Sequence, residues 1–139
     1  LPAIAGFGAA AELAAAAQPA FAENAAALRR RITDALAETL PQAQILGSGG
    51  PPHILSLSLP GYRSEVLMNC LDADGICVSK SSACKKGGRS HVLEAIGLPA
   101  NVIDGALRIS FSRYTTREDI DALCDALRDA KQSLFPSLH

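Results

Sequence analysis

Two stretches of strict alternation between apolar and polar residues constrain the fold of this chain most strongly. Residues 55–59 read Leu-Ser-Leu-Ser-Leu, and residues 107–111 read Leu-Arg-Ile-Ser-Phe. A period of two predicts β-strands that turn one face to an apolar core and the other to a polar environment. The chain is therefore expected to contain a sheet with one buried face.

Helical patterns surround these strands. Residues 4–17 are rich in alanine, and beyond Pro19 apolar residues recur at spacings of three and four as far as Leu40. This periodicity predicts two helices, or one kinked helix, in the first third of the chain.

Capping signals place three further helices. Ser64 and Ser90 are predicted N-caps, and Thr115 with Glu118 has the spacing of a capping box at the start of the last helix. A short strand is predicted at "ICVSKS" (76–81). The expected fold is a two-layer α+β small domain: a sheet of about three strands, antiparallel or mixed, packed by helices and preceded by long alanine-rich helices.

Composition limits the classes of function. The chain has 139 residues, of which 48% are apolar, enough for a core within one domain. Its formal net charge of −1 provides no basic field for nucleic acid or a membrane surface. Glu12 interrupts the apolar N-terminal stretch, which argues against a signal peptide or membrane span. Four cysteines in 139 residues are fewer than a disulfide-rich secreted domain would have, so they indicate a reducing, cytoplasmic setting.

One of these cysteines has unusual neighbours. Cys84 lies in "SKSSACKKGGRSHVL" (79–93), close to Lys85, Lys86 and Arg89. Nearby cations favour the thiolate, which is the nucleophilic form of cysteine. A reactive role for Cys84 and an ordinary surface thiol both remain open on local chemistry alone.

The other cysteines give no comparable signal. Cys70 and Cys124 fall on apolar helix stripes and Cys77 falls in the predicted strand, so we expect all three in the core. No C-x-x-C pair is present, and we expect no metal site.

Arg108 is the second candidate. It lies on the polar face of the second alternating strand, where a guanidinium can offer two parallel hydrogen bonds to a carboxylate. That carboxylate could belong to a ligand or to an Asp or Glu of the same domain.

Five ordered segments resemble one known family. They are "GFGAAAEL" (6–13), "ILSLSLPGYRSEVLMNCLD" (54–72), "SSAC" (81–84), "SHVLEAIGL" (90–98) and "LRISFSRYTTREDID" (107–121). Together they resemble the C-terminal part of the NifS/IscS-type cysteine desulfurases, pyridoxal-phosphate enzymes of the class V aminotransferase group. The resemblance implies that residues 1–139 are the small domain of such an enzyme, with 1–40 as the helical junction to a large domain.

The resemblance also implies a reaction and its residues. In this family the cofactor activates L-cysteine, and a thiolate takes its sulfur as a persulfide, releasing L-alanine. Carried over, Cys84 is the nucleophile and persulfide carrier, and Arg108 binds the α-carboxylate of the substrate. An acceptor or scaffold protein then receives the sulfur, and the complete enzyme is a homodimer.

The cofactor lysine is expected outside this chain. The first lysine here is Lys80, which adjoins the cysteine segment and does not match that role. We therefore expect the fragment alone to bind no pyridoxal phosphate covalently and to be inactive. Two alternatives stay open: a selenocysteine lyase or another class V enzyme, and a stand-alone persulfide carrier or interaction module.

Overall fold

The computed structural model describes residues 1–47, 49–80 and 89–135, which form an α+β domain with a four-stranded sheet. The elements in chain order are α1 (Pro2–Thr39), β1 (Gln44–Leu46), β2 (Ile54–Ser58), α2 (Ser64–Ala73), β3 (Ser79–Lys80), α3 (His91–Ala95), α4 (Ala100–Asp104), β4 (Ala106–Ser110) and α5 (Arg117–Ser133). The predicted fold class is confirmed.

The sheet is antiparallel throughout, in the order β1-β2-β4-β3. Its centre is the pairing of the two alternating strands, in which Leu57 lies opposite Leu107 and Ser56 lies opposite Arg108. Side chains alternate between the faces of a strand, so this register puts the leucines on one face and the polar pair on the other.

The leucine face forms the main core. Leu57 and Leu107 are fully buried, and they pack in one cluster with Leu28 of α1, Leu67 of α2 and Leu123 of α5. Three helices thus cover this face, as the alternation predicts.

Among the described residues, the polar face is covered at one end. Leu93 of α3 and Ile103 of α4 form a second, small cluster with Ala106 at the start of β4. Beside it, the buried Ser58 hydroxyl donates to the Val102 carbonyl at 2.6 Å. The part of the polar face that carries Arg108 therefore borders a packed region.

The first third of the chain is a single helix, and not two. α1 continues through Pro19, although a proline inside a helix removes one backbone hydrogen bond. Alanine has the highest helix propensity, and the alanine-rich turns on both sides favour continuation. One face of its second half is buried, whereas Ile4 and Phe7 of its first half are exposed. In the described part of the chain, no helix combines the length and apolarity of a membrane span.

Two local predictions differ from the structure in detail. The sheet has four strands and not about three, because β1 is a three-residue edge strand too short to show alternation. α2 begins at Ser64, and its N-cap, Arg63, makes no side-chain capping bond. The predicted cap at Ser90 is confirmed, since its hydroxyl accepts from the Leu93 amide.

The capping box of α5 lies one residue later than predicted. Thr116 and Asp119 form it, and not Thr115 and Glu118. The Thr115 hydroxyl instead accepts from the Ser112 amide at 2.9 Å, in the turn that precedes the helix.

Gly105 joins α4 to β4 at a point without space for a side chain. A Cβ atom there would lie 2.2 Å from the Leu59 carbonyl oxygen and 3.0 Å from that of Tyr62. Its φ of −92° is accessible to any residue, so the requirement is for space alone.

We expect Gly105→Ala to lower the free energy of unfolding by about 1–3 kcal/mol, because the backbone of residue 59 must move. Gly8→Ala is the matched control, since a Cβ at Gly8 meets nothing within 4 Å. That control should be neutral or stabilise α1 by up to about 1 kcal/mol. Urea denaturation followed by circular dichroism measures both, and equal midpoints would contradict the close approach at Gly105.

Candidate active site

Arg108 occupies the middle of β4, between two serines of the neighbouring strands. Ser56 of β2 and Ser79 of β3 are its partners in register. Residues directly opposite one another in an antiparallel pair share a face of the sheet. The guanidinium therefore rises from the polar face between two small side chains, which leave space for a ligand.

Within the described residues, the Arg108 side chain has no ion-pair partner. Its Nε atom is buried and has no hydrogen-bond partner there. A buried donor without a partner costs free energy, more so on a charged group. The alternative of an ion pair inside the domain thus finds no support in this part of the chain, and the site suits an anionic group that arrives with a ligand.

Cys84 lies outside the described residues, but the strand that leads to it is tied to Arg108. Ser79 pairs with Arg108 across the sheet, and its hydroxyl donates to the Arg108 carbonyl at 3.4 Å. Cys84 follows Lys80, the last residue of β3, by four positions. Four residues span roughly 14 Å at full extension, which bounds the separation of the two Cα atoms.

The cations around Cys84 are not equivalent. The Arg89 guanidinium donates from Nε and Nη2 to the two oxygens of Asp104, at 2.7 and 2.8 Å. This bidentate bond raises the pKa of Arg89 further above its ordinary value. Lys85 and Lys86 lie outside the described residues. The positive charge of Arg89 is thus shared with a carboxylate.

A second ion pair involves Lys80, four positions before Cys84 in the sequence. Lys80 at the end of β3 donates to the carboxylate of Glu65 in the first turn of α2. The hydrogen bond from Lys80 lowers the pKa of Glu65.

The remaining cysteines differ from their prediction at one position. Cys124 is buried on α5 and Cys70 packs partly buried against the core, as expected. Cys77 is exposed, because the chain is still irregular there and β3 begins only at Ser79. Burial raises the pKa of the Cys124 thiol to about 11, so this thiol is almost entirely protonated at neutral pH.

The lysines of the described residues are both engaged. Lys80 binds Glu65, and Lys131 donates to the Gln42 side chain at 3.2 Å. Neither is placed as a free amine beside Arg108. Across the described ranges, no three His, Cys, Asp or Glu side chains come together as a metal site would need.

Sequence reasoning missed the surroundings of Arg108 and of the cysteine segment. The serines that flank Arg108 depend on strand register, and only the Ser56 pairing involves two strands with a clear alternation. The ion pairs Lys80–Glu65 and Arg89–Asp104 each join residues 15 positions apart, a spacing that carries no local signal.

Comparison with known proteins gives one family. The model of the family "Aminotransferase class-V" matches residues 1–123. "Cysteine desulfurase 2" of Trichormus variabilis is 38% identical over 101 residues, which are 68% of this chain and 25% of that protein. "Cysteine desulfurase IscS" of Clostridium botulinum is 35% identical over 130 residues, 89% of this chain and 33% of that protein. The chain thus spans about a third or less of the length of these relatives.

Solved structures agree with this result. A "NifS-like protein" superimposes with a TM-score of 0.77 at 29% identity, covering 88% of this chain and 31% of the other. The NifS-like protein from Rickettsia africae gives a TM-score of 0.81 at 25% identity, covering 94% of this chain and 34% of the other. The match of the family model over most of the sequence, together with these relatives, shows that the chain belongs to the class V aminotransferase family and is similar to part of its cysteine desulfurases.

Proposed function

We propose that this chain is the small domain of a cysteine desulfurase, in which residues 1–40 join it to a large cofactor-binding domain. The complete enzyme would convert L-cysteine to L-alanine and pass the sulfur through Cys84 to an acceptor protein. The observation that carries the proposal is the buried Nε of Arg108, which has no hydrogen-bond partner among the described residues and lies on the strand that pairs with β3, just before Cys84 in the sequence. The printed names of the relatives support the choice of reaction.

In this proposal Arg108 binds the α-carboxylate of cysteine. Arg108 belongs to an inner strand of the sheet. Little conformational entropy should therefore be lost when its guanidinium binds a carboxylate. Its planar fork matches a carboxylate, and the small Ser56 and Ser79 leave that fork accessible. Arg108 would thus orient the substrate and would carry no proton in the reaction.

Cys84 would act as the nucleophile. Its thiolate attacks the sulfur of the substrate, so that a bond forms between Cys84 Sγ and this sulfur while the Cβ–S bond of the substrate breaks. The electron pair stays with the carbon, which takes up a proton and leaves as alanine. Lys85 and Lys86, the neighbours of Cys84 in sequence, would favour its thiolate.

Pyridoxal phosphate would supply the electron sink that makes this bond cleavage possible. The described lysines are bound to other side chains, so we place the cofactor lysine in the large domain. This chain then contributes the nucleophile and the carboxylate site, and the homodimeric complete enzyme contributes the rest.

We expect Cys84→Ser to abolish sulfur transfer in the complete protein, because a hydroxyl does not form a persulfide. Cys77→Ser is the matched control, since Cys77 is an exposed thiol seven positions away. Alanine release from L-cysteine, with added pyridoxal phosphate and a reductant, measures both variants. Equal activity of Cys84→Ser and the unmodified protein would refute the role of Cys84, and no activity of the complete protein would refute the desulfurase itself.

Replacing Arg108 should chiefly weaken substrate binding. A hydrogen-bonded charge pair supports an increase in KM on the order of 10- to 100-fold for Arg108→Ala. Arg108→Lys keeps the charge without the fork and should lie between the two. Arg128→Ala, at an exposed pair on α5, should leave KM unchanged. The proposal for Arg108 fails if both substitutions leave KM for L-cysteine at the unmodified value.

A further inference from the structure

Three serines of the strands that flank β4 lie on the polar face with Arg108, and a serine hydroxyl can donate one hydrogen bond. The Ser58 hydroxyl donates to the Val102 carbonyl, and the Ser79 hydroxyl donates to the Arg108 carbonyl. The Ser56 hydroxyl makes no hydrogen bond within the described residues. We propose that Ser56 is a second binding residue for the carboxylate that Arg108 receives, and this inference rests on the proposed function.

The register places Ser56 where it can share a ligand with Arg108. The two residues form the central pair of the ladder between β2 and β4, with two residue pairs on each side. Both side chains are half-buried, and both strands are inner strands of the sheet. The Cβ atoms of directly opposite residues lie about 4.5–5.5 Å apart. A carboxylate that accepts from the Arg108 guanidinium can therefore turn its second oxygen toward the Ser56 hydroxyl.

The neighbour of Ser56 on its other side is apolar. Leu46 of β1 is its partner in register, and Leu46 packs against the small cluster formed by α3 and α4. The leucine side chain offers no acceptor, so it does not compete for the Ser56 hydroxyl. A hydrogen bond gains strength where water is partly excluded. The row of Leu46, Ser56 and Arg108 thus puts two donors beside an apolar wall.

These two donors select the chemistry of the ligand. A guanidinium only donates hydrogen bonds, and the Ser56 hydroxyl has a free donor. A carboxylate presents acceptors alone, whereas a carboxamide of the same shape also brings two N–H donors. A site built from Arg108 and Ser56 should consequently bind a small carboxylate and discriminate against the corresponding amide.

The test uses the complete protein with pyridoxal phosphate, and propionate as the probe. Propionate has no amino group with which to react with the cofactor, so its dissociation constant reports the carboxylate site alone. Isothermal titration calorimetry should show binding that is about fivefold to 20-fold weaker in Ser56→Ala, the cost of one hydrogen bond to a charged group. Ser56→Thr keeps a hydroxyl and should retain more of the affinity. Propionamide should bind the unmodified protein about tenfold more weakly than propionate, or less.

Ser58→Ala is the matched control, because it is the same substitution on the same face of the same strand. Its hydroxyl is buried and bonded to the Val102 carbonyl, so its removal leaves a buried acceptor without a partner. Ser58→Ala should lower the urea midpoint of unfolding and leave the dissociation constant of propionate unchanged. Ser56→Ala should do the opposite, since its hydroxyl bonds to nothing in the described part of the chain.

A double variant tests whether Ser56 and Arg108 contact the same group. Ser56→Ala should weaken propionate binding less in the Arg108→Ala background than in the unmodified protein, because the shared ligand is then already displaced. In steady-state kinetics, Ser56→Ala should raise KM for L-cysteine by the same factor as the dissociation constant of propionate. Its kcat should stay within about twofold, since the carboxylate contact is made equally before and during the reaction.

The outcomes separate the role of Ser56 from the desulfurase. Propionate binding that depends on Ser56, in a protein that forms no alanine, would support the carboxylate site and refute the proposed function. Normal alanine formation with an unchanged dissociation constant in Ser56→Ala would overturn the role of Ser56 and leave the desulfurase standing. A fall in the urea midpoint of Ser56→Ala as large as that of Ser58→Ala would also overturn it, because Ser56 would then be structural.

Discussion

The pairing of β2 with β4 is the interaction on which the rest of the structure depends. It is the longest ladder of the sheet, with five residues in register, and it joins segments about fifty positions apart. A shift by one residue would exchange the two faces of a strand and bury the guanidinium of Arg108 in place of a leucine. The burial of Leu57 and Leu107 thus determines, through the register, that Arg108 lies on the opposite face.

This coupling explains how a small domain can combine stability with a guanidinium whose buried Nε has no hydrogen-bond partner among the described residues. The core lies between one sheet face and three helices, and it needs nothing from the other face. The polar face can therefore hold the Arg108 Nε, a buried donor that finds no partner in the described part of the chain, at a free-energy cost that the core offsets. Arg108 therefore lies on a strand whose other face is packed into the main core.

Some parts of the fold could be predicted from the sequence in detail, and others could not. Alternation predicted β2 and β4 and the face of Arg108, because burial on one side imposes a visible period. It could not distinguish the capping boxes of Thr115 and Thr116, which both have a carboxylate three positions later. In the structure the Thr115 hydroxyl accepts from the Ser112 amide in the preceding turn, so the capping box forms at Thr116. The ion pairs Lys80–Glu65 and Arg89–Asp104 form only when separate elements meet, so no local pattern predicts them.

Several structural requirements meet in the few residues that link α4 to β4. Asp104 binds Arg89, Gly105 leaves space for the Leu59 backbone, and Arg108 lies on the polar face, where its Nε has no hydrogen-bond partner within the described ranges. Ala106 and Leu107 are buried between them, in different clusters. Insertion or deletion of one residue here would turn each side chain of β4 to the opposite face of the sheet. It would also change the position of β4 relative to α4. For design by recombination, this link is consequently a poor crossover point, and segments exchanged between related chains should carry it whole.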